Sequence, residues 1–411
     1  MNANSYDVIF VGGGAAGLMG ACLIASTGLK IAVIEKNSRP GSKILITGKG
    51  RCNITNMSLW DDFSSHIHPD ASFFKKAFFD FSNTDVRDFF ESLGVATVEE
   101  RGKRLFPASG RSATVRDALQ ACLERGNVEI LCNTEVENVR SLGKGSFALD
   151  VISHQSLVSV IYGRTVVLTT GGLSYPSTGS TGAGYTISSS FGHSIVKTLP
   201  SLTALTPKRY DVSLAGIDLE NVKLELYVDG LLRRCELGDM SFTEGGMEGS
   251  IGFRLSREAV LSLDKGSEVA LVLDLKPGLS LEKLRDRITR EYDPSRPLSK
   301  YLLKLMPGAL VAPFMRANTD LSPMNLPVRL KEWRFPIGGY VGYQRCVVTQ
   351  GGVSLKEVSR KTMESKKCSG LYIAGELLNL DADTGGYNLQ IAFSTGVLAA
   401  RSAVASILSQ D

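Results

Sequence analysis

Near the start of the chain, Gly12-Gly13-Gly14-Ala15-Ala16-Gly17 puts glycines at the first, third and sixth places of a turn between an apolar run and a helical one. Gly12 permits the tight turn, Gly14 lets a pyrophosphate approach the backbone, and Gly17 permits close packing of helix on strand. The helix that follows offers free N–H groups and the positive end of its dipole, which suits an anionic linkage. Glu35 closes the next apolar run, 23 residues after Gly12. A carboxylate there accepts hydrogen bonds from ribose hydroxyls and repels a 2′-phosphate, so an adenosine without that phosphate is favoured. The plainer alternative is a tight turn with a solvated glutamate.

Three more glycine-rich junctions follow. Thr47-Gly48-Lys49-Gly50-Arg51-Cys52-Asn53-Ile54-Thr55-Asn56 sets glycines beside a cation and amides, as a loop lying against a polar ring system would. An ordinary surface turn accounts for it equally well. With no second cysteine nearby, Cys52 reads as a small buried thiol. Thr169-Thr170-Gly171-Gly172-Leu173-Ser174-Tyr175-Pro176 ends a buried strand on two glycines and brings backbone against a ligand at the carboxyl edge of a sheet. Leu371–Ala374, then Gly375-Glu376, Asp381, Asp383 and Gly385-Gly386-Tyr387-Asn388-Leu389-Gln390, reads as strand, turn and helix start. The positive end of that helix would stabilise negative charge on the pyrimidine side of a reduced flavin. Only one G-x-G-x-x-G occurs, which fits FAD held as a prosthetic group. NAD(P)H as a co-substrate would need a less standard site.

These junctions require particular elements to hold them. Tyr6–Val11 and Lys30–Glu35 are expected as parallel buried strands joined by a helix at Ala15–Thr27, with Gly28 just past its end. Residues 37–70 read as loop. Helices are expected at 71–81, at 84–93 before Gly94, and at 113–125 capped by Ser112. Strands at 128–133, 136–141, 147–152 and 157–161 suggest an antiparallel meander, before a buried strand at 164–170 and a helix at 182–191. From about residue 196 polar and apolar residues alternate, with strands at 222–228, 233–237 and 269–273. Residues 281–320 read as helical, interrupted by prolines. The expected organisation is a cofactor domain at 1–195 and 346–411, strands at 345–349 and 371–374, and a last helix at about 388–408. A β-rich insert at 196–345 carries a helical outgrowth near 278–325.

Composition sets the outer limits. With 43% hydrophobic and 21% charged residues, the chain is not disordered, collagenous or coiled-coil. Glycine, at 42 of 411, exceeds the ordinary share of about 7% and is clustered at the junctions. The net charge of +4 is mild, and the basic runs 101–104 and 233–234 are short, so no nucleic-acid partner is expected. Seven scattered cysteines without C-x-x-C, and His66, His68, His154 and His193, give neither a disulfide framework nor a metal site. The first apolar run begins at residue 6 and no stretch reaches 18 uninterrupted apolar residues, so a reducing cytoplasm and no membrane partner are expected. Oligomeric state does not follow.

With these junctions in order along nearly the whole chain, the sequence resembles the bacterial NAD(P)/FAD-dependent oxidoreductases of the aminoacetone oxidase and bile-acid reductase-like flavoprotein family. Thr349-Gln350-Gly351-Gly352-Val353 belongs to the same likeness. The resemblance implies an α/β fold: a Rossmann-type FAD/NAD(P)-binding domain of the glutathione-reductase type, with an inserted β-barrel-like domain and a small helical domain. It implies that Gly12, Gly14, Ala15, Ala16, Gly17, Glu35, Lys36 and Val136 hold the adenosine and pyrophosphate. It further implies that Lys43, Arg51, Cys52, Asn53, Thr170, Gly171, Gly375, Glu376, Gly386, Asn388 and Leu389 lie along the phosphates and isoalloxazine. The family's histidine–glycine pair and Ser-Gly-Pro are replaced here by the stretch Phe242–Gly252. The function implied is hydride transfer between flavin N5 and a small organic substrate held between the FAD domain and the insert. The alternatives are NAD(P)H-dependent reduction of an unsaturated substrate and non-catalytic flavin binding. No residue is assigned as catalytic acid or base.

Overall fold

A computed structural model of the protein describes residues 4–143, 145–153 and 158–409. His154 and the first residue of the strand expected at 157–161 lie outside the described residues. The chain divides into two compact units: residues up to Leu199 together with those from Val347 onward, and Pro200–Cys346.

The first unit is built on a sheet in which Glu129–Leu131, Ile31–Ile34, Ser5–Val11 and Val158–Leu168 lie side by side, with Leu371–Ile373 on the last of them. All these pairings are parallel. Val8–Val11 and Ile31–Ile34 are buried throughout, as strands covered on both faces must be. The register fixes the site. Val11 pairs with both Ile34 and Leu168, and Leu168 pairs with Ile373. The residues that follow, Gly12, Glu35, Thr169 and Ala374, therefore leave the sheet along one edge.

Several elements differ from expectation. Glu129–Leu131 is a parallel strand of the main sheet, not the first strand of a meander, because its pairing partner is Ile31–Ile34. The last meander strand and the returning strand are one element, Val158–Leu168, whose first half pairs antiparallel with Phe147–Ser153. The first helix ends at Ile24, and Ser112 lies inside its helix with its hydroxyl on Leu45 O at 2.7 Å. Val348–Val353 replaces the strand expected at 345–349 and pairs with Ile195–Ser201 instead of joining the main sheet. The 37–70 stretch contains short helices and strands, among them Ser42–Ile46 and Trp60–Ser64.

The last helix, Gly385–Leu408, packs across the first helix, Ala15–Ile24. A Cβ on Gly20 would fall 2.6 Å from Gly396 O, and one on Gly396 would fall 2.3 Å from Ala16 O. Only glycine at both places allows backbones this close. The last helix is long and apolar enough to cross a membrane, yet most of it is buried inside the unit.

The second unit contains a closed barrel of Leu205–Pro207, Gly246–Glu248, Leu231–Thr243, Asp218–Val228, Val269–Asp274 and Trp333–Tyr340, in that order. Phe242, Trp333 and Phe335 pack together in its core. Gly249–Asp264 is a helix where alternating strands were expected. Its buried residues Ile251, Leu255 and Ala259 recur every four positions, the helical period. The helical part is four pieces, Leu281–Glu291, Leu298–Leu302, Gly308–Ala317 and Leu326–Lys331. Pro297 and Pro307 stand at the start of two of them, where a missing N–H costs nothing.

Candidate functional site

A cavity of about 1330 Å³, counting its open mouth, lies along the carboxyl edge of the main sheet. Its wall includes Gly12, Gly14, Ala15, Ala16, Glu35, Lys36, Lys43, Val136, Thr170, Gly171, Gly375, Glu376, Asn388 and Leu389. The starts of the first and last helices thus face one space, although nearly the whole chain separates them. No side chain caps either helix start. Among the described residues the backbone N–H groups of Ala15, Ala16 and Gly385, all in the cavity wall, are therefore left for whatever enters.

At the first turn the glycines have separate duties. A Cβ on Gly12 would come within 2.6 Å of Thr169 O, and one on Gly17 within 2.1 Å of Gly12 O. These two are needed by the fold. At Gly14 the nearest atom to an added Cβ is Thr169 O at 3.9 Å, so there the Cα faces open cavity. Glu35 is buried, and its carboxylate accepts from Gly13 N at 3.0 Å and Asn37 N at 2.8 Å. Burial raises its pKa, and those two N–H groups and Lys36 only partly offset it. Each oxygen keeps a lone pair for a further donor. Lys36 reaches Thr181 Oγ1 at 2.8 Å and Asn37 reaches Thr178 O at 3.0 Å, which draws the 178–181 loop against the cavity rim.

Away from that turn, four segments meet in a polar cluster. Lys43 Nζ donates to Ser174 Oγ at 2.8 Å and pairs with Glu376 Oε2 at 2.9 Å, while Ser174 Oγ donates to Glu376 Oε1 at 2.5 Å. Thr349 N donates to Glu376 Oε1 at 3.0 Å, and Thr349 Oγ1 accepts from Leu173 N and Ser174 N. A Cβ on Gly172 would fall 2.6 Å from Thr349 Oγ1, so this junction needs its second glycine. Burial would raise the Glu376 carboxyl, but Lys43, the Ser174 hydroxyl and the Thr349 N–H together hold it below the usual carboxylate range.

Five of the expected residues lie outside the cavity wall. Gly17 packs helix on strand. Cys52 is fully buried, and burial pushes its thiol up to about 12. Arg51 is partly exposed, pairs with Glu100 and lies over the Phe106 ring at 4.4 Å. Asn53 packs on Gly386, where a Cβ would fall 2.8 Å from its Nδ2, so Gly386 makes room for Asn53 at the last helix's start. Thr178, Gly179, Val347 and Val348 also line the cavity, beyond the residues expected to touch the cofactor. Thr178 and Gly179 lie in the continuation of the third glycine-rich junction, while Val347 and Val348 precede the quoted Thr349–Val353 run.

The wall fits an adenine dinucleotide of the FAD type. The Gly14 backbone and the two helix starts are open to it, as is Gly385, where an added Cβ would meet nothing within 4 Å. Thr170 Oγ1, in a wall residue, and Asn53 Oδ1, beside the last helix's start, are buried with no partner among the described residues.

His66 Nδ1 and His68 Nε2 converge on the buried Asp383 at 3.0 and 2.9 Å, and His66 stacks on Tyr387. This cluster fixes the 60–70 segment just ahead of the last helix. No group of three or more His, Cys, Asp or Glu side chains among the described residues is arranged to hold a metal ion.

The family described as HI0933-like protein Rossmann domain matches residues 6–402. The chain is 31% identical to the 3-dehydro-bile acid delta(4,6)-reductase of Clostridium scindens, covering 96% of this chain and 98% of that one. It is 30% identical to the ribosomal RNA dihydrouridine synthase of Escherichia coli, covering 98% of each. Among solved structures, the 3-ketosteroid delta1-dehydrogenase of Sterolibacterium denitrificans shares the fold with a TM-score of 0.55 at 13% identity, over 98% of this chain and all of that one. The chain belongs to the HI0933-like family, and its Rossmann unit is that of an FAD-dependent oxidoreductase.

Proposed function

We propose that this HI0933-like protein holds FAD in the cavity of its first unit and uses it to saturate a carbon–carbon double bond conjugated to a carbonyl in a small organic molecule. The observation that carries the reading is the convergence of two helix starts without a side-chain cap, Gly14–Ala16 and Gly385 with Asn388 and Leu389, together with Glu35, on one cavity. The two relatives supply the substrate class. A delta(4,6)-reductase and a dihydrouridine synthase act on different molecules, yet each name denotes saturation of a double bond in conjugation with a carbonyl.

When bound, FAD supplies a hydride from N5 of its reduced ring. Glu35 would accept from the ribose hydroxyls. The first helix's N–H groups would take the pyrophosphate, and the last helix's start would favour negative charge on the pyrimidine side. The Lys43–Glu376 pair keeps both charges in place beside that space, held by Ser174 and Thr349. Gly12 and Gly17 let the turn and the first helix pack closely on Thr169 and on each other, and Gly14 leaves the cavity beside them open.

Reduction of a small enone is favoured over reduction of RNA by the mild net charge of +4, since phosphate-rich partners are held mainly by cationic surface. The likeness to the Escherichia coli protein keeps uridine in RNA as the second reading. The test is an absorbance spectrum of the purified protein, then anaerobic titration with NADH and NADPH, then reoxidation by a 3-oxo-4-ene steroid or by unmodified ribosomal RNA. The reading predicts a flavin spectrum, bleaching by a reduced nicotinamide and recovery with the enone. A protein that neither carries nor takes up FAD overturns it, and recovery with RNA alone transfers it to the second reading.

A further inference from the structure

We infer that Cys22 and Cys122 form a dithiol site that hydrogen peroxide converts to a disulfide, with Cys122 as the attacking sulfur and Cys22 as the resolving one. Cys22 lies on the first helix and Cys122 on the helix Ser112–Arg125 packed against it. Cys22 Sγ is 3.4 Å from Leu119 O, and Leu119 and Cys122 are one turn apart on the same helix. The helices close further beyond this point, where a Cβ on Gly126 would fall 2.4 Å from Ala25 Cβ. Both thiols are free, and Cys22 donates to Leu119 O within the turn of helix that leads to Cys122.

Their surroundings divide the roles. Cys22 is only 8% exposed, whereas Cys122 is partly open to solvent. The neighbouring Cys22 thiol and the Arg125 guanidinium hold the Cys122 thiol below its ordinary value, while Cys122 and burial push Cys22 up. The thiolate is the nucleophile, and the accessible member of the pair carries it. Cys235 is more exposed, but partial burial and the carboxylates Glu225 and Glu236 raise it, so exposure and reactivity separate.

The chemistry balances with peroxide as the oxidant. The Cys122 thiolate attacks one peroxide oxygen. The O–O bond breaks, and hydroxide leaves and is protonated to water. The sulfenic acid at Cys122 is then attacked by the Cys22 sulfur. The S–S bond forms as the S–O bond breaks, and the departing hydroxyl takes the Cys22 proton as a second water. Both sulfurs are oxidised and one peroxide is reduced. The product ties the helix that begins at Gly14 to the helix behind it.

The test treats the full-length protein with hydrogen peroxide, alkylates remaining thiols with iodoacetamide and maps the peptides by mass spectrometry. The inference predicts a peptide pair joined through residues 22 and 122, two fewer of the seven free thiols, and reversal by dithiothreitol. Without peroxide, Cys122 should alkylate at least about tenfold faster than Cys235 at pH 7. C22S should leave a sulfenic acid at Cys122 that dimedone traps, and C122S should form no disulfide. Oxidation of Cys235 ahead of Cys122 would overturn it, as would sulfinic acid at Cys122 with Cys22 still free in the unsubstituted protein.

Discussion

The first turn and its acid, Gly12, Gly14, Gly17 and Glu35, all come from residues 12–35. Elsewhere at the cavity, Lys43 and Glu376 of the wall are joined by Ser174 and Thr349, so that four separate segments meet. The first group acts largely through backbone geometry, with glycines that clear space and one carboxylate fastened to a neighbouring N–H. The second acts through side-chain charge and hydrogen bonds. A backbone-built site tolerates no added atom at the points of closest approach. A side-chain cluster can lose a member and keep its shape, at the expense of leaving a charge without its partner.

The largest effect should come from adding one methyl group to the first group. Gly17→Ala places a Cβ 2.1 Å from Gly12 O, and backbone cannot yield there cheaply. It should destabilise the unit by about 3 kcal/mol, the upper end for overpacking, read by chemical denaturation. Gly14→Ala, three residues earlier, should leave stability within about 1 kcal/mol and instead abolish FAD retention, because its Cβ enters the cavity. If both variants behaved alike, the division between fold glycines and ligand glycines would be wrong.

Next in size, Glu376→Gln should cost about 2 kcal/mol by leaving Lys43 without its counter-charge. That is less than a fully buried pair would show, because Lys43 and Glu376 are 23% and 17% exposed. A double-mutant cycle with Lys43→Met measures the pair term separately.

The two groups should also differ in the sign of their pH dependence in the FAD-free protein. Glu376 has a folded pKa below its ordinary 4.5, so its contribution is complete above about pH 4.5 and is lost as pH falls through the lower folded value. Glu35 has a folded pKa above 4.5, so stability declines as pH rises from about 4.5 through that higher value. Glu35→Gln should remove the second slope and Glu376→Gln the first, in denaturation midpoints taken from pH 3 upward on the scale of ~1 unit steps. The same slope in both variants would refute the contrast.

The smallest effect is expected at Arg51. It is 46% exposed in its pair with Glu100, and Arg51→Ala should leave the denaturation midpoint close to that of the unsubstituted protein and FAD retention unchanged. A strong loss of FAD would place this side chain in the site after all.

The difference between the two groups is also a difference in what could be read from residue order. The turn at Gly12–Gly17, the two strands around it and Glu35 were legible because each depends on neighbours in the chain. The carry-over of Arg51 and Cys52 to the cofactor was not matched by the cavity wall, and local conformation shows why. Gly48, Lys49, Gly50 and Cys52 all take positive φ, so this short loop coils and turns Arg51 towards Glu100 and Cys52 into the core. Composition cannot report such a winding. The helix at Gly249–Asp264 was hidden for a related reason, since its apolar positions continue those of the strands before it.

Sequence by itself determined the glycine-rich turn, the buried parallel strands and the acid that ends the second of them, because strand periodicity and glycine's missing Cβ are properties of consecutive residues. Tertiary structure alone decided that Lys43, Ser174, Thr349 and Glu376 meet, and that the last helix begins beside the first. Those depend on strand register and on the Gly20–Gly396 crossing. Contacts between segments hundreds of residues apart arise only when the chain has packed, and no local rule encodes them.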